Sequence, residues 1–162
     1  MQIRPAITAD ILSLMNLERQ FATAGHWTEE QFRQVFQVDR PERLVLVAED
    51  LPLTATRLES GGNVGFALCG FLVAQHLAPE WELENIVVAP TSRRKGVGKD
   101  LLDALLTAAR ETNSVAVFLE VRESNTAARS LYATSGFEQT GRRKSYYTNP
   151  AEDAILYHRT LR

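Results

Sequence analysis

The sequence predicts an α/β fold built on a mixed central sheet of about 6–7 strands with about four helices. Three observations carry that prediction. Short apolar runs rich in β-branched residues alternate with longer runs of helical period. Trp81–Val88 and Val115–Val121 flank a single amphipathic stretch, the pattern of a βαβ unit with central parallel strands and a right-handed crossover. Two further runs, about 137–147 and 153–161, are joined by Asn149-Pro150, a turn signal, and finish the sheet as an antiparallel pair.

The elements follow in chain order. Gln2–Pro5 reads as an edge strand, where Pro5 is tolerated. From Thr8 a helix is expected, because Ile11, Leu12, Leu14, Met15 and Leu17 recur at helical spacing. Thr28 followed by Gln31 makes a capping box, so a second helix begins there with Phe32, Val35 and Phe36 on one face. Leu44–Ala48 is a strand by composition. Pro52 and Ser60-Gly61-Gly62-Asn63 make 51–63 a long hairpin loop with no assigned function, and Val64–Gln75 is the returning strand. In the helix at about 98–111, Val97, Leu101, Leu102, Leu105, Leu106 and Ala109 form one apolar stripe. A last helix runs from about Asn125 to Thr134 and stops at Gly136.

Composition bounds the function. At 162 residues, 44% hydrophobic and 23% charged, the chain fits one domain over 1–162 with its own core. No apolar run approaches the ~20 residues of a membrane span, and the start lacks a signal-peptide core. Cys69 is the only cysteine, so a disulfide or a cysteine-rich metal site is not expected. The cytoplasm is the expected compartment. A net charge of −2 argues against general nucleic-acid binding.

The chemical signal lies at 86–98. Ile86-Val87-Val88-Ala89-Pro90 precedes Arg93-Arg94-Lys95-Gly96-Val97-Gly98 and then a helix, so unpartnered N–H groups at a helix start face a glycine-rich turn. That is a site for a phosphorylated ligand. A nucleoside-triphosphate loop is excluded, because Arg93 stands at its first glycine and Asp100 at its magnesium-binding hydroxyl. A dinucleotide fingerprint is excluded too, because Leu101 stands at its third glycine.

The remaining pattern, R-x-x-G-x-G at 93–98, resembles the acetyl-CoA pyrophosphate signature of the GNAT acetyltransferases. Phe118-Leu119-Glu120-Val121-Arg122, Ser124-Asn125, Leu131-Tyr132 and Ser135-Gly136-Phe137 are similar to that family's C-terminal half. Arg142-Arg143, Tyr146-Tyr147, Glu152-Asp153-Ala154 and His26-Trp27-Thr28-Glu29 narrow the resemblance to the ribosomal-protein-alanine N-acetyltransferases. It implies a GNAT fold whose two central parallel strands splay apart. It also implies acetyl-CoA as cosubstrate, held by Ile86, Val87, Val88, Arg93, Arg94, Lys95, Gly96, Val97, Gly98, Lys99, Asn125 and Tyr132. A backbone N–H near Val87 or Val88 would hold the oxyanion.

Acetyl transfer needs a neutral amine and a stabilised thiolate leaving group. An N-terminal amine of pKa about 8 is roughly one-tenth neutral at pH 7, against about one part in 2500 for lysine, so it needs less help from a base. Glu120 lies near the end of an apolar strand, where burial would raise its pKa, and it matches the family's proposed base. A glutamate paired with Arg122 or Arg129 is the other reading. Glu84, on the strand before the loop, is the rival base; the related family has an apolar residue near there. Tyr132 is the acid by resemblance. A phenol protonating a thiolate is uphill by roughly 2 kcal/mol, so it would hydrogen-bond the thiolate and transfer its proton only if its pKa were lowered.

Asn125 reads both as an N-cap and as a contact to the CoA arm. Trp27, Tyr146 and Tyr147 border the peptide groove of related enzymes and are the acceptor-binding candidates. No serine or cysteine with a paired histidine is evident, which favours direct attack in a ternary complex, and no metal is expected. The implied acceptor is the N-terminal alanine of a small-subunit ribosomal protein. A small amine, such as a polyamine or an amino sugar, and a non-catalytic acetyl-CoA sensor are the alternatives. Oligomeric state is not legible in the sequence.

Overall fold

The computed structural model describes residues 1–21, 27–37, 42–50 and 67–161. The expected loop over 51–63, the start of the strand expected from Val64, and His26 lie outside the described residues. The strands are β1 (Gln2–Pro5), β2 (Arg43–Asp50), β3 (Ala67–Leu77), β4 (Glu80–Val88), β5 (Ala116–Arg122), β6 (Glu138–Thr148) and β7 (Ala151–Thr160). The helices are α1 (Ile11–Glu18), α2 (Glu29–Gln34), α3 (Val97–Glu111) and α4 (Thr126–Thr134). Strand order is β1-β2-β3-β4-β5-β7-β6, and only the β4–β5 pair is parallel.

The apolar patterns explain the layers. Alternation along the strands gives the sheet two buried faces. On one face, the whole predicted stripe of α3 is buried and packs with Trp81, Leu83, Val117, Leu119 and Val121. On the other, Leu14 and Met15 of α1 and Phe32 of α2 pack on Val45, Val47, Phe71 and Val87.

Each helix end has its own local cause. The Thr28 box forms in both directions: the Gln31 N–H donates to Thr28 Oγ1 at 3.2 Å, and the Thr28 N–H donates to Gln31 Oε1 at 2.8 Å. Trp27, just before the cap, packs on Phe32 with ring centroids 5.4 Å apart, a hydrophobic staple. At the end of α4 the Gly136 and Phe137 N–H groups donate to Ala133 and Tyr132 carbonyls, both bonds of a Schellman closure. Phe137 then packs edge-on against Tyr132, 5.9 Å between centroids. A sequence-local motif thus fixes the position of Tyr132.

Two features of the sheet shape everything that follows. First, β4 carries an irregularity: Ala74 pairs with Leu83 and Val73 with Asn85, so Glu84 is an extra residue in the ladder. Second, the β4–β5 pairing runs only from Glu80↔Ala116 to Leu83↔Leu119, although β4 continues to Val88 and β5 to Arg122. The two central strands part at the bulge.

Candidate active site

The parted strands leave backbone groups facing an open wedge. The Ala89 N–H donates to Cys69 O of β3 at 2.8 Å. Along a strand these groups alternate sides, so Val87 also faces β3 while Ile86 and Val88 face the wedge. Of the two donors expected for an oxyanion, the Val88 N–H therefore points to the β5 side and the Val87 N–H toward β3.

At the wide end of the wedge stands the start of α3. Gly96 is its N-cap, with φ 86°, and a side chain there would meet nothing within 4 Å. The glycine is required by its left-handed backbone and leaves the space before the helix open. Gly98 serves a different need: a Cβ would lie 2.9 Å from Leu131 Cδ2, so its absence lets α3 and α4 approach closely. The unpaired N–H groups of the first turn and the helix dipole make this end suited to an anion. Arg94 and Lys95 are exposed beside it, Arg93 lies over the Phe21 ring at 4.8 Å, and Lys99 is ion-paired with Asp103 one turn on.

On the same face of the sheet as α3, α4 follows β5. Asn125 caps it, accepting from the Ala128 N–H at 3.2 Å. Tyr132 is buried against Phe137 and Tyr157. Burial first, and the neighbouring Tyr147 second, raise its pKa above the ordinary phenol value. The lowered pKa on which complete proton transfer depended is absent.

Carboxylates gather at the apex. Glu120 is held by Arg143 of β6 at 2.9 Å and receives the Tyr146 hydroxyl. Neither expected partner does this: Arg122 binds Glu152 and the carbonyls of Asn149 and Pro150, and Arg129 binds Glu123 O and Tyr157. Glu84 is bound bidentately by Arg43, at 2.9 and 3.2 Å. Glu82, between them in the fold, has no ion-pair partner among the described residues. Its pKa is raised, first by burial and then by the charges of Glu84 and Glu120. Three carboxylates thus meet where the strands part; arginines neutralise two and leave the third prone to hold a proton.

A wedge between two parallel strands, an anion-receptive helix start and a set of carboxylates match what known acetyltransferases share. The Acetyltransferase (GNAT) family matches residues 11–137. This chain belongs to the GNAT acetyltransferase family. The ribosomal protein bS18-alanine N-acetyltransferase of Haemophilus ducreyi is 33% identical over 141 residues, covering 79% of this chain and 92% of the relative. That of Salmonella typhimurium is 32% identical over 151 residues, covering 92% and 90%. The crystal structure of the ribosomal-protein-S18-alanine N-acetyltransferase from Escherichia coli superposes with a TM-score of 0.76 at 28% identity, covering 99% of this chain and 93% of that one.

In this GNAT enzyme the cleft beside Glu84 is built from residues far apart in sequence. The buried Glu18 of α1 accepts from the Trp27 N–H at 2.7 Å and from the Asn85 amide at 2.6 Å, tying the segment before α2 to the strand just past the bulge. Trp27 is thereby both staple and cleft wall. On the other side β6 bulges between Arg143 and Tyr147, with Ser145 at φ 50° and its N–H donating to Asp153 Oδ1 at 2.8 Å. The bulge brings Tyr146 over Glu120. Tyr147 stacks edge-on to Tyr146 and lies under the Arg122 guanidinium at 4.1 Å. The charge of Glu120 raises the pKa of Tyr146, whereas burial comes first for Tyr147.

One expectation from sequence is corrected. A serine does pair with a histidine: Ser114 Oγ lies 3.2 Å from His76 Nε2, with Glu42 3.5 Å from Nδ1. The group sits where β4 and β5 begin, at the closed end of the wedge. Ser114 is buried and shares a hydrogen bond with Thr112, which accepts from the Trp81 indole N–H at 3.0 Å. His76 stacks on Trp81 at 4.8 Å. These residues clamp the strands together. Among the described residues no cluster of three or more His, Cys, Asp or Glu side chains could hold a metal ion, and no helix is long and apolar enough to cross a membrane.

The raised pKa of Glu82 has a measurable sign. The folded protein binds this proton more tightly than the unfolded chain, whose glutamate titrates near 4.5. The cost of ionising Glu82 is absent below that pH and appears as pH rises through the folded value. Glu82→Gln should therefore raise Tm relative to the parent at pH 7–8 and leave the difference near zero at pH 4. An equal difference at both pH values would contradict the assignment.

Proposed function

We propose that this chain transfers acetyl from acetyl-CoA to the N-terminal α-amine of a protein, the N-terminal alanine of a small-subunit ribosomal protein, in the cytoplasm. The observation that carries the reading is the open wedge whose apex gathers Glu82, Glu84 and Glu120, two of them fixed by arginines. The relatives named as bS18-alanine N-acetyltransferases support the acceptor.

The residues divide the work. The first turn of α3, beginning at Gly96, binds the pyrophosphate through backbone N–H groups, and Arg94 and Lys95 add positive charge. The remaining loop and strand residues, with Asn125, line the cosubstrate's path. Glu120, on the wedge, takes the ammonium proton directly or through water, and Glu82 behind it holds that proton because burial favours its neutral form. An α-amine needs only this modest help. The Val88 N–H faces the wedge and stabilises the oxygen that gains charge during attack. Tyr132 donates a hydrogen bond to the departing thiolate and keeps its own proton, as its raised pKa requires.

The test is acetyl-CoA-dependent CoA release against two acceptor panels. One contains a ribosomal N-terminus beginning with alanine, its blocked form and a peptide whose only amine is an internal lysine; the other contains polyamines and amino sugars. Turnover confined to the free alanine N-terminus is expected, and turnover confined to small amines would overturn the reading. Tyr132→Phe removes a hydrogen bond to a charged leaving group, worth about 1.5–3 kcal/mol, and should lower kcat by about 10- to 100-fold. The Kd for acetyl-CoA should hardly change; an unaltered kcat would reduce Tyr132 to packing.

A further inference from the structure

Resting on the reading of Glu120 as the base, we propose that Arg143 and Tyr146 guard it against water. They occupy its carboxylate and so suppress hydrolysis of acetyl-CoA until the acceptor's ammonium takes the place of Arg143. A site that holds a thioester beside a base faces this side reaction whenever no acceptor is bound. Water attacks the thioester carbonyl and one of its protons passes to Glu120. The carbon–sulfur bond then breaks, its electron pair goes to sulfur, and acetic acid and the CoA thiolate leave. The proton on Glu120 returns to the thiolate through solvent.

The guard comes from one bulge. Between Arg143 and Tyr147 the β6 register shifts, which brings two side chains of the same short segment onto one carboxylate. The Arg143 guanidinium lies 2.9 Å from Glu120 Oε1, and the Tyr146 hydroxyl is hydrogen-bonded to the same group. A carboxylate accepts at about four lone-pair positions, so these two contacts take places that a water's proton needs. The guanidinium also lies 5.4 Å from the Tyr146 ring centroid, so the pair brace each other. Asp153 pins the backbone, taking the Ser145 N–H at 2.8 Å and Arg142 at 3.0 Å, and uncovering Glu120 therefore needs only side-chain rotation. The two arginines of the apex differ in how firmly they hold. Arg43 is 25% exposed and grips Glu84 with two hydrogen bonds, whereas Arg143 is 54% exposed, and such an ion pair is weak. Water is neutral and cannot replace the charge of Arg143. An ammonium can, and one positive charge then faces Glu120 throughout the exchange.

The experiment measures release of CoA from acetyl-CoA with no acceptor present. Arg143→Gln and Tyr146→Phe should each raise this rate by about three- to tenfold over the parent. Arg143→Lys, which keeps a cation, should stay near the parent. Adding Glu120→Gln to either faster variant should remove the gain. A misfolded variant loses rate, so an increase cannot come from damage to the fold. Acceptor-free release unchanged in both variants, or a gain that survives Glu120→Gln, would overturn the guard while leaving the transfer reaction standing. No transfer by the parent to any free N-terminal amine, measured separately, would overturn the reaction on which the guard rests.

Discussion

The parting of β4 and β5 is the constraint on which the rest depends. Two adjacent strands that stop pairing leave N–H and C=O groups without partners, and such groups are costly when buried. Here the cost has a local origin, the extra residue Glu84 in the β3–β4 ladder, and a local use. The bulge turns Glu84 toward Arg43, and just past it Asn85 is aimed at Glu18. Ile86 and Val88 then present their free groups to the wedge. The opening therefore leaves β4 backbone groups facing the space between the two strands.

A wedge needs a hinge that does not open. The Trp81, Thr112, Ser114 and His76 cluster supplies it at the beginning of the two strands, with the indole buried between sheet and α3. Helices on both faces hold the arms apart: α1 and α2 on one side, α3 and α4 on the other. Gly98 sets how closely the α3 start approaches α4, through its contact with Leu131. The anion-receptive turn, the buried Tyr132 and the carboxylates are thus fixed relative to one another by packing.

Much of the fold was legible because its signals are local. The α3 stripe, the Thr28–Gln31 box and the stop at Gly136 depend on residues within a turn or two, and the structure shows each. So was the loop at 93–98, because an N-cap glycine and free N–H groups are properties of a short segment. Partner choice was not legible. Arg143 reaches Glu120 from β6 across β7, and Arg43 reaches Glu84 across β3, and both depend on strand order and on bulges that no short window reveals. Glu82 belongs to no motif, yet the fold places it beside two other carboxylates. Ser114 and His76 are 38 residues apart, so their pairing is equally invisible in sequence. Glu18, a charged residue at the end of an amphipathic helix, reads as solvated until Trp27 and Asn85 are seen to close on it.

The most direct test of the central claim is hydrogen exchange at single backbone amides of β4, with and without acetyl-CoA. If the wedge is the cosubstrate's seat, binding should slow exchange at Val88 and at Ile86. Val87, already engaged with β3, should change little, and β1 and β2 should not respond. Protection confined to β1–β2, or no protection at Val88 under saturating acetyl-CoA, would contradict the account.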